Sequence, residues 1–283
     1  MLWPSNLIEE LAYRRCILFL GAGVSATANS RNDPNKHPCI WRQFIEELKN
    51  QAINLSDEDK KFAEERLKEN DLLMALQVIY DNSDMGHCAK YIKDSFSNFE
   101  PSKIHEIISE IDSKIIVTTN FDKIYDKLCN GDEYAVYDYK QANAIVGALK
   151  TPSHIVIKAH GTIDNIEGIV FTAKQYADNE NKYPEFYNLL SALFLTYTVV
   201  FIGYSLNDPD ISLVLRNIKK TSNVTTPHYI LVSGKQKEPV KKYWKDVYNV
   251  SIIEYGDSYD KLEPELQKLK EEVLELREDR GIV

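Results

Sequence analysis

The first residues whose types and spacing suggest chemistry form the turn Gly21-Ala22-Gly23-Val24-Ser25, directly after the apolar run 16–20. A continuous apolar run of this length is typical of a strand covered on both faces of a parallel sheet. Glycines let the backbone approach a pyrophosphate, and a helix starting near Ser25 would direct free N–H groups at that anion. The turn therefore predicts a nucleotide phosphate site, although Ala26 replaces the third glycine of the G-x-G-x-x-G pattern.

Three later segments repeat the plan of an apolar strand that ends in polar residues. In open α/β sheets, ligands bind outside the carboxyl ends of the strands, so we expect these segments and the glycine turn to border one crevice. The segments are 115–122, ending in Thr119-Asn120-Phe121-Asp122; 155–161, ending in Lys158-Ala159-His160-Gly161; and 199–210, containing Gly203-Tyr204-Ser205 and Asn207-Asp208-Pro209-Asp210.

Asn120 and His160 are the candidate catalytic residues. An asparagine side chain can both donate and accept hydrogen bonds. A histidine that follows a strand is placed to face a cleft, and a pKa near neutrality would let it accept a proton from a hydroxyl group or water. Asp122 has a second interpretation, which stays open, as the cap of a helix over residues 123–128. Five other histidines are interpreted as surface or packing residues: His37, His87, His105, His154 and His228.

In their order along the chain, the four motifs resemble those of the sirtuin-like (silent information regulator) family. The likeness spans about residues 17–232 and is strongest to the NAD-consuming domains of bacterial antiphage defence systems, of the kind paired with HerA-like ATPases or found in Thoeris. It implies an α/β fold with a Rossmann-like, doubly wound, mostly parallel sheet and an inserted helical subdomain. It also implies NAD as the substrate.

The resemblance assigns roles to the motif residues. It implies that Asn120 contacts the ribose and positions the attacking water, with His160 as the second catalytic residue. Asp122 corresponds to the residue that binds the nicotinamide carboxamide. The remaining cofactor-binding candidates are Gly21, Ala22, Gly23, Ser25, Thr119, Gly203 and Ser205, of which the last two would reach the phosphates or the adenosine ribose.

The implied activity is cleavage of NAD to nicotinamide and ADP-ribose, which would deplete NAD during infection. Two alternatives stay open: an NAD- or ADP-ribose-binding subunit that regulates a HerA-like ATPase without turnover, and an NAD-dependent protein deacylase. The presence of Asn120 and His160 favours catalysis. Thr119 stands where deacylases usually have glutamine, which argues against deacylation. Ser233 replaces the usual asparagine at a later strand end, so the adenine contacts are not assigned.

Four cysteines, Cys16, Cys39, Cys88 and Cys129, are spread singly along the chain. Zinc modules need closely spaced cysteine pairs, which this chain lacks. We therefore interpret the cysteines as reduced thiols, most of them buried, and expect that no metal is required.

Composition predicts a folded, enzyme-sized protein. The chain has 283 residues, of which 43% are hydrophobic, enough for a buried core. A formal net charge of −9 argues against a broad nucleic-acid surface. There is no apolar run of membrane-spanning length, and the first residues lack the plan of a signal peptide, so we expect a cytoplasmic protein without membrane contact.

The apolar pattern predicts one sirtuin-like domain over residues 1–283, with a leading helix over 2–13 and a helical insertion over 41–100. Ser56 is predicted to cap a helix in that insertion. The polar loop 29–38 is expected to fold over the cofactor and to be mobile without it. An amphipathic helix over 261–283 either packs on its own domain or forms a contact with a partner or within a homo-oligomer. Its apolar positions are Leu262, Leu266, Leu269, Val273 and Leu276.

Overall fold

The computed structural model describes residues 2–131, 133–206, 215 and 226–282. Its central feature is a seven-stranded sheet with the order β5-β6-β4-β1-β7-β8-β9, in which neighbouring strands are parallel. A second, two-stranded antiparallel sheet pairs β2 with β3. The strands are β1 (Cys16–Leu20), β2 (Asn29–Ser30), β3 (Phe99–Glu100), β4 (Ile115–Thr118), β5 (Tyr134–Asp138), β6 (His154–Lys158), β7 (Thr198–Ile202), β8 (His228–Val232) and β9 (Val250–Glu254).

Helices cover both faces of the parallel sheet, which confirms the predicted Rossmann-like α/β fold. The described α-helices are α1 (Ser5–Ala12), α2 (Ala22–Ser25), α3 (Trp41–Gln51), α4 (Asp57–Lys68), α5 (Leu72–Asp81), α6 (Met85–Phe96), α7 (Lys103–Glu110), α8 (Ala142–Ala148), α9 (Ala173–Lys182), α10 (Pro184–Thr196), α11 (Glu238–Tyr248) and α12 (Leu262–Arg280). Short 3₁₀ turns cover Tyr125–Leu128, Tyr139–Gln141, Ile166–Gly168 and Tyr259–Lys261. None of the described helices is both long and apolar enough to cross a lipid bilayer.

The continuous apolar run of β1 serves both faces of the sheet. Successive side chains of a strand point to opposite faces. Ile17 and Phe19 therefore join the core under α8 and α10, whereas Leu18 and Leu20 join the core under α1, α7 and α12. All five β1 side chains are buried, as expected for a central strand of a parallel sheet.

Four helices, α3 to α6, lie between β1 and β4 in the chain and build a core of their own. Phe44, Leu48 and Ile79 belong to this core. Phe121, which follows β4, packs into it. Ser56 caps α4 as predicted, since its hydroxyl accepts a hydrogen bond from the Asp59 backbone N–H at 3.1 Å. The insertion is therefore attached to the segment that carries Asn120.

The C-terminal helix α12 packs on its own chain. Its apolar stripe lies in the core formed with α1 and α7. Leu262, Leu266, Leu269 and Val273 are at most 4% exposed, and Leu276 packs partly buried against the same core. Intramolecular packing is thus the interpretation that the structure supports, and the four buried side chains are unavailable as a seam between subunits.

Candidate active site

The four motifs follow four adjacent strands, in the order β6, β4, β1, β7. Hydrogen bonds continue the sheet just beyond the strand ends. Ala159 N–H donates to the Thr118 carbonyl at 2.8 Å, and Gly21 N–H donates to the Ile202 carbonyl at 2.9 Å. The structure therefore brings the four polar segments together at the carboxyl edge of the sheet, which is the ligand-binding edge of open α/β folds.

Gly21 and Gly23 allow the turn after β1 to contact the turn after β7. A Cβ atom at Gly21 would lie 2.7 Å from the Tyr204 ring, and one at Gly23 would lie 2.8 Å from the Gly203 carbonyl oxygen. The glycines therefore serve the packing of two neighbouring strand ends. Their contact with a phosphate stays a prediction.

The helix after the glycine turn differs from the prediction. It does not start near Ser25. Helix α2 begins at Ala22 and ends at Ser25 after a single turn. The Gly23 N–H, one of those expected to face an anion, donates to the Gly203 carbonyl at 2.8 Å. Because this N–H is bonded to the turn after β7, it is not available to a phosphate.

A chain of hydrogen bonds links Asn120, Ser25 and Asp122. The Asn120 Nδ2 donates to the Gly21 carbonyl and to Ser25 Oγ, both at 2.9 Å. Ser25 Oγ donates in turn to Asp122 Oδ2 at 2.6 Å. A carbonyl oxygen only accepts hydrogen bonds, so the NH₂ group of Asn120 must face Gly21. Both amide hydrogens are thereby used inside the protein, and Oδ1 is the acceptor that Asn120 can offer to a ligand.

Asp122 caps the segment that follows it, as one of its two interpretations predicts, while its contact with nicotinamide stays a prediction. Its Oδ2 accepts from Ser25, while its Oδ1 accepts from the Ile124 backbone N–H at 2.9 Å. The helix predicted over 123–128 is only the 3₁₀ turn Tyr125–Leu128. The carboxylate therefore holds the start of this segment and orients Ser25 at the same time.

Thr119 is bonded across β1 to the turn after β7. Its Oγ1 lies 2.7 Å from the Tyr204 hydroxyl, which donates to the Leu20 carbonyl at 3.1 Å. Thr119 must therefore be the donor in the first of these bonds, since the single Tyr204 hydroxyl hydrogen is used on Leu20. Tyr204 was not singled out from the sequence, because its partners lie on strands that are distant in the chain.

A pocket lies beside Asn120, with polar groups on one side and aromatic rings on the other. Its volume of about 30 Å³ holds one or two water molecules. The polar groups come from residues after β1 and β4, as does Phe121, and the other aromatic rings come from the helical insertion. The lining residues are Ala22, Ser25, Cys39, Trp41, Phe44, Phe96, Thr119, Asn120, Phe121 and Asp122.

The aromatic side of this pocket was missed in the sequence. Trp41 and Phe44 follow a helical spacing, which indicated a buried helix face but not a ligand site. Cys39 precedes them, and burial raises the pKa of its thiol to about 11, so the thiol is uncharged at neutral pH. The only sequence signal for the aromatic side was its position directly after loop 29–38, which was expected to cover the cofactor.

His160 is buried, with 5% of its surface exposed. It is not among the described residues that line the pocket beside Asn120. Its ring packs edge-on against Tyr176 with centroids 5.0 Å apart, and Nδ1 lies 3.4 Å from the Tyr176 hydroxyl. Burial lowers the pKa of His160 to about 3. The expectation of a near-neutral pKa is therefore wrong, and the imidazole is uncharged at neutral pH.

Lys158 is a buried cation in the third motif, and the sequence predicts no role for it. Its side chain is 3% exposed. The ammonium group donates to the Asp122 backbone carbonyl and pairs with Asp126 Oδ1 at 3.0 Å. The signal that could have found it was a lysine at the end of an otherwise apolar strand.

Comparison with known families agrees with this geometry. Residues 114–253 match the model of the SIR2-like domain. This segment, about half of the chain, is a sirtuin-like domain. Defense-associated sirtuin 2 of Bacillus subtilis is 26% identical over 223 residues, which cover 76% of this chain and 20% of that protein.

Two further relatives are named NAD(+) hydrolase ThsA. The protein from Acinetobacter baumannii is 27% identical over 219 residues, covering 76% of this chain and 41% of its own length. The protein from Cytobacillus dafuensis is 25% identical over 270 residues, covering 93% of this chain and 49% of its own length. This chain therefore spans half or less of the length of these curated relatives.

The structure describes only part of the segment after β7, for which the resemblance predicts contacts to the phosphates or the adenosine ribose. Gly203 has a φ of +79°, and a Cβ there would lie 2.5 Å from the Val24 backbone nitrogen. Ser205, exposed, follows this turn. The segment Asn207-Asp208-Pro209-Asp210 lies outside the described residues. Ser233 directly follows β8, so it sits at the same edge of the sheet.

The cysteines of the sirtuin-like domain are separate thiols. Cys16 lies buried in β1 and Cys88 lies buried in α6, while Cys39 and Cys129 are half-buried. Within the described ranges, no group of three or more His, Cys, Asp or Glu side chains could hold a metal ion.

Proposed function

We propose that this sirtuin-like domain hydrolyses NAD to nicotinamide and ADP-ribose, and that it acts in antiphage defence by depleting NAD. The observation that carries the proposal is the orientation of Asn120, whose NH₂ group is held by Gly21 and Ser25 so that Oδ1 can accept a hydrogen bond from a ligand or water. Relatives named as NAD(+) hydrolases and as a defence-associated sirtuin support the substrate and the setting.

The reaction breaks one bond and forms another. The bond between ribose C1′ and the nicotinamide nitrogen breaks, and nicotinamide leaves as a neutral molecule with the bonding electron pair. The oxygen of water bonds to C1′, which carries positive charge in the transition state. The Asn120 Oδ1 would orient this water, and the uncharged His160 would accept a hydrogen bond from a ribose hydroxyl. With a pKa of about 3, His160 is too weak a base to take the proton itself at neutral pH. The proton then passes to solvent.

The pocket must widen to bind NAD. Ligand pockets usually have volumes of about 300–1,000 Å³, whereas this pocket has about 30 Å³. Its movable wall is the aromatic side, because Trp41, Phe44 and Phe96 belong to the helical insertion rather than to the sheet. The preceding loop 29–38 is predicted to move with it, and opening of this wall would admit the nicotinamide beside Asn120.

The test is release of nicotinamide from NAD, measured with and without an acylated peptide. We expect release without peptide. Release that requires the peptide would indicate a deacylase, and NAD binding without any release would indicate a binding subunit.

Asn120→Ala should keep NAD binding by calorimetry but lower turnover at least about 10²-fold, because water positioning acts mainly in the transition state. Asn130→Ala, at an exposed asparagine, is the control. Loss of binding in step with rate would instead make Asn120 a binding residue.

A further inference from the structure

Lys158 is a buried charge that the proposed reaction does not use directly. Removing an ammonium group from water costs several kcal/mol unless a partner compensates for it. Replacing such a pair by apolar residues is often neutral or stabilising, so a buried pair is weak evidence for stability alone. The contacts of Lys158 indicate what else it does.

The Lys158 ammonium group holds the segment that follows Asn120. It donates to the Asp122 backbone carbonyl and contacts both carboxylate oxygens of Asp126, at 3.0 and 3.3 Å. Asp126 belongs to the 3₁₀ turn Tyr125–Leu128. One cation therefore ties the backbone at Asp122 to the turn that follows it.

Asp122 connects Lys158 to the pocket through hydrogen bonds. Its side chain accepts the Ser25 hydroxyl hydrogen at 2.6 Å, and Ser25 Oγ accepts from the Asn120 Nδ2 at 2.9 Å. A shift of the Asp122 backbone would move the carboxylate away from Ser25. Asn120 would then keep its bond to the Gly21 carbonyl but lose its fixed bond to Ser25, and Oδ1 would be held less firmly.

We propose that Lys158 is a positioning residue, which fixes the orientation of the Asn120 amide through Asp122 and Ser25. This inference rests on the proposed NAD hydrolysis. It predicts that loss of Lys158 lowers kcat more than it raises KM, because the affected contact orients water rather than holding the body of NAD.

Arg277 offers a matched control near the amino ends of the strands, where it bonds to residues that precede β1 and β4. It is also a buried cation, 5% exposed, and it bonds to backbone carbonyls of Leu11 and Ala12, with Asp112 as its acidic neighbour. Arg277→Met therefore removes a similar set of contacts without touching the pocket. A purely structural role of Lys158 predicts the same outcome for Lys158→Met and Arg277→Met.

The experiment compares wild type with Lys158→Met, Lys158→Met/Asp126→Asn and Arg277→Met at equal folded concentration. The double variant removes both charges, so it folds even where the single variant leaves Asp126 unpaired and fails. We expect kcat to fall by about 10- to 100-fold in both Lys158 variants, with KM changed less than about threefold. Arg277→Met should keep kcat within about twofold despite a lower melting temperature.

The second readout is the NMR signal pair of the Asn120 side-chain amide, assigned by its loss in Asn120→Ala. It should shift in the Lys158 variants and stay in place in Arg277→Met. A kcat within threefold of wild type, or an unmoved amide signal, would overturn the positioning role. Absence of nicotinamide release by the wild type would refute the proposed function instead, and the amide signals would still decide whether Lys158 orients Asn120.

Discussion

The two sides of this molecule use buried polar groups differently. At the carboxyl edge of the central strands, Asn120, Ser25 and Asp122 bond to one another beside a pocket. In the layer of α1, α7 and α12 the core is apolar, and Arg277 joins helix ends through backbone carbonyls. The difference shows that burial of a cation does not by itself determine what the cation does. Its effect depends on whether the carbonyl it holds belongs to a binding segment or to a helix end.

The strongest test of this comparison is His160→Ala at the carboxyl edge. A buried hydrogen bond from His160 to the ribose is worth about 1–3 kcal/mol, so nicotinamide release should fall by about 10- to 100-fold. The melting temperature should also fall, because the change removes a buried ring packed on Tyr176, so the rates are compared at equal folded concentration. His87→Ala, at the start of α6, is the control. Activity within a few-fold of wild type would remove His160 from the mechanism.

Leu269→Ala tests the opposite side. Leu269 is fully buried between α12 and its neighbours, and truncating such a leucine typically costs about 2–5 kcal/mol. We expect this loss in urea unfolding, with unchanged turnover per folded molecule and unchanged mass by light scattering. Leu274→Ala, at a position 42% exposed, is the matched control. A lower mass for Leu269→Ala would show that α12 also holds subunits together.

Acid should lower the free energy of unfolding, because three buried histidines gain protons more easily in the unfolded chain. Burial lowers the pKa of His105 and His228 to about 4 and that of His160 to about 3. The unfolded chain therefore binds protons more readily, and stability present above pH 6.5 is lost as the pH falls toward 4. At pH 4.5, each of these histidines should lower the free energy of unfolding by about 2–3 kcal/mol.

His105→Gln sharpens this test. The His105 Nδ1 accepts from the Ser102 N–H at 3.1 Å in a capping box, and glutamine can occupy the same position without titrating. Urea unfolding at pH 7.5 and 4.5 should show a smaller pH dependence for this variant, with nicotinamide release unchanged. A pH dependence equal to that of wild type would mean that His105 does not titrate on unfolding.

The sequence predicted well what depends on short stretches of chain. The apolar runs before Gly21, Asn120 and His160 are strands, and a shared edge followed from the general rule for parallel sheets. The Ser56 cap and the α12 stripe also depend on local spacing, since a helix repeats every 3.6 residues. These features need no knowledge of distant partners.

The site was less predictable, because its properties arise from contacts between distant segments. The role of Gly21 depends on Tyr204, and the pKa of His160 depends on burial that no local pattern reports. The wall formed by Trp41 and Phe96 comes from an insertion whose spacing indicates only a packed helix. Nothing in the sequence indicated the role of Lys158, because its partner is the backbone carbonyl of Asp122. Every residue type has such a carbonyl, so no residue pattern marks it.

The central position of β1 has a consequence for how the chain folds. This strand pairs with β4, about 100 residues later, and with β7, about 180 residues later. Loop closure over such distances slows folding. During synthesis, the apolar β1 run leaves the ribosome long before β7 exists, so one edge of β1 has no partner strand until β7 is made. A truncated product that ends before β7 would lack one neighbour of the central strand. It would also lack the Gly203 and Tyr204 turn that packs against Gly21 and Gly23.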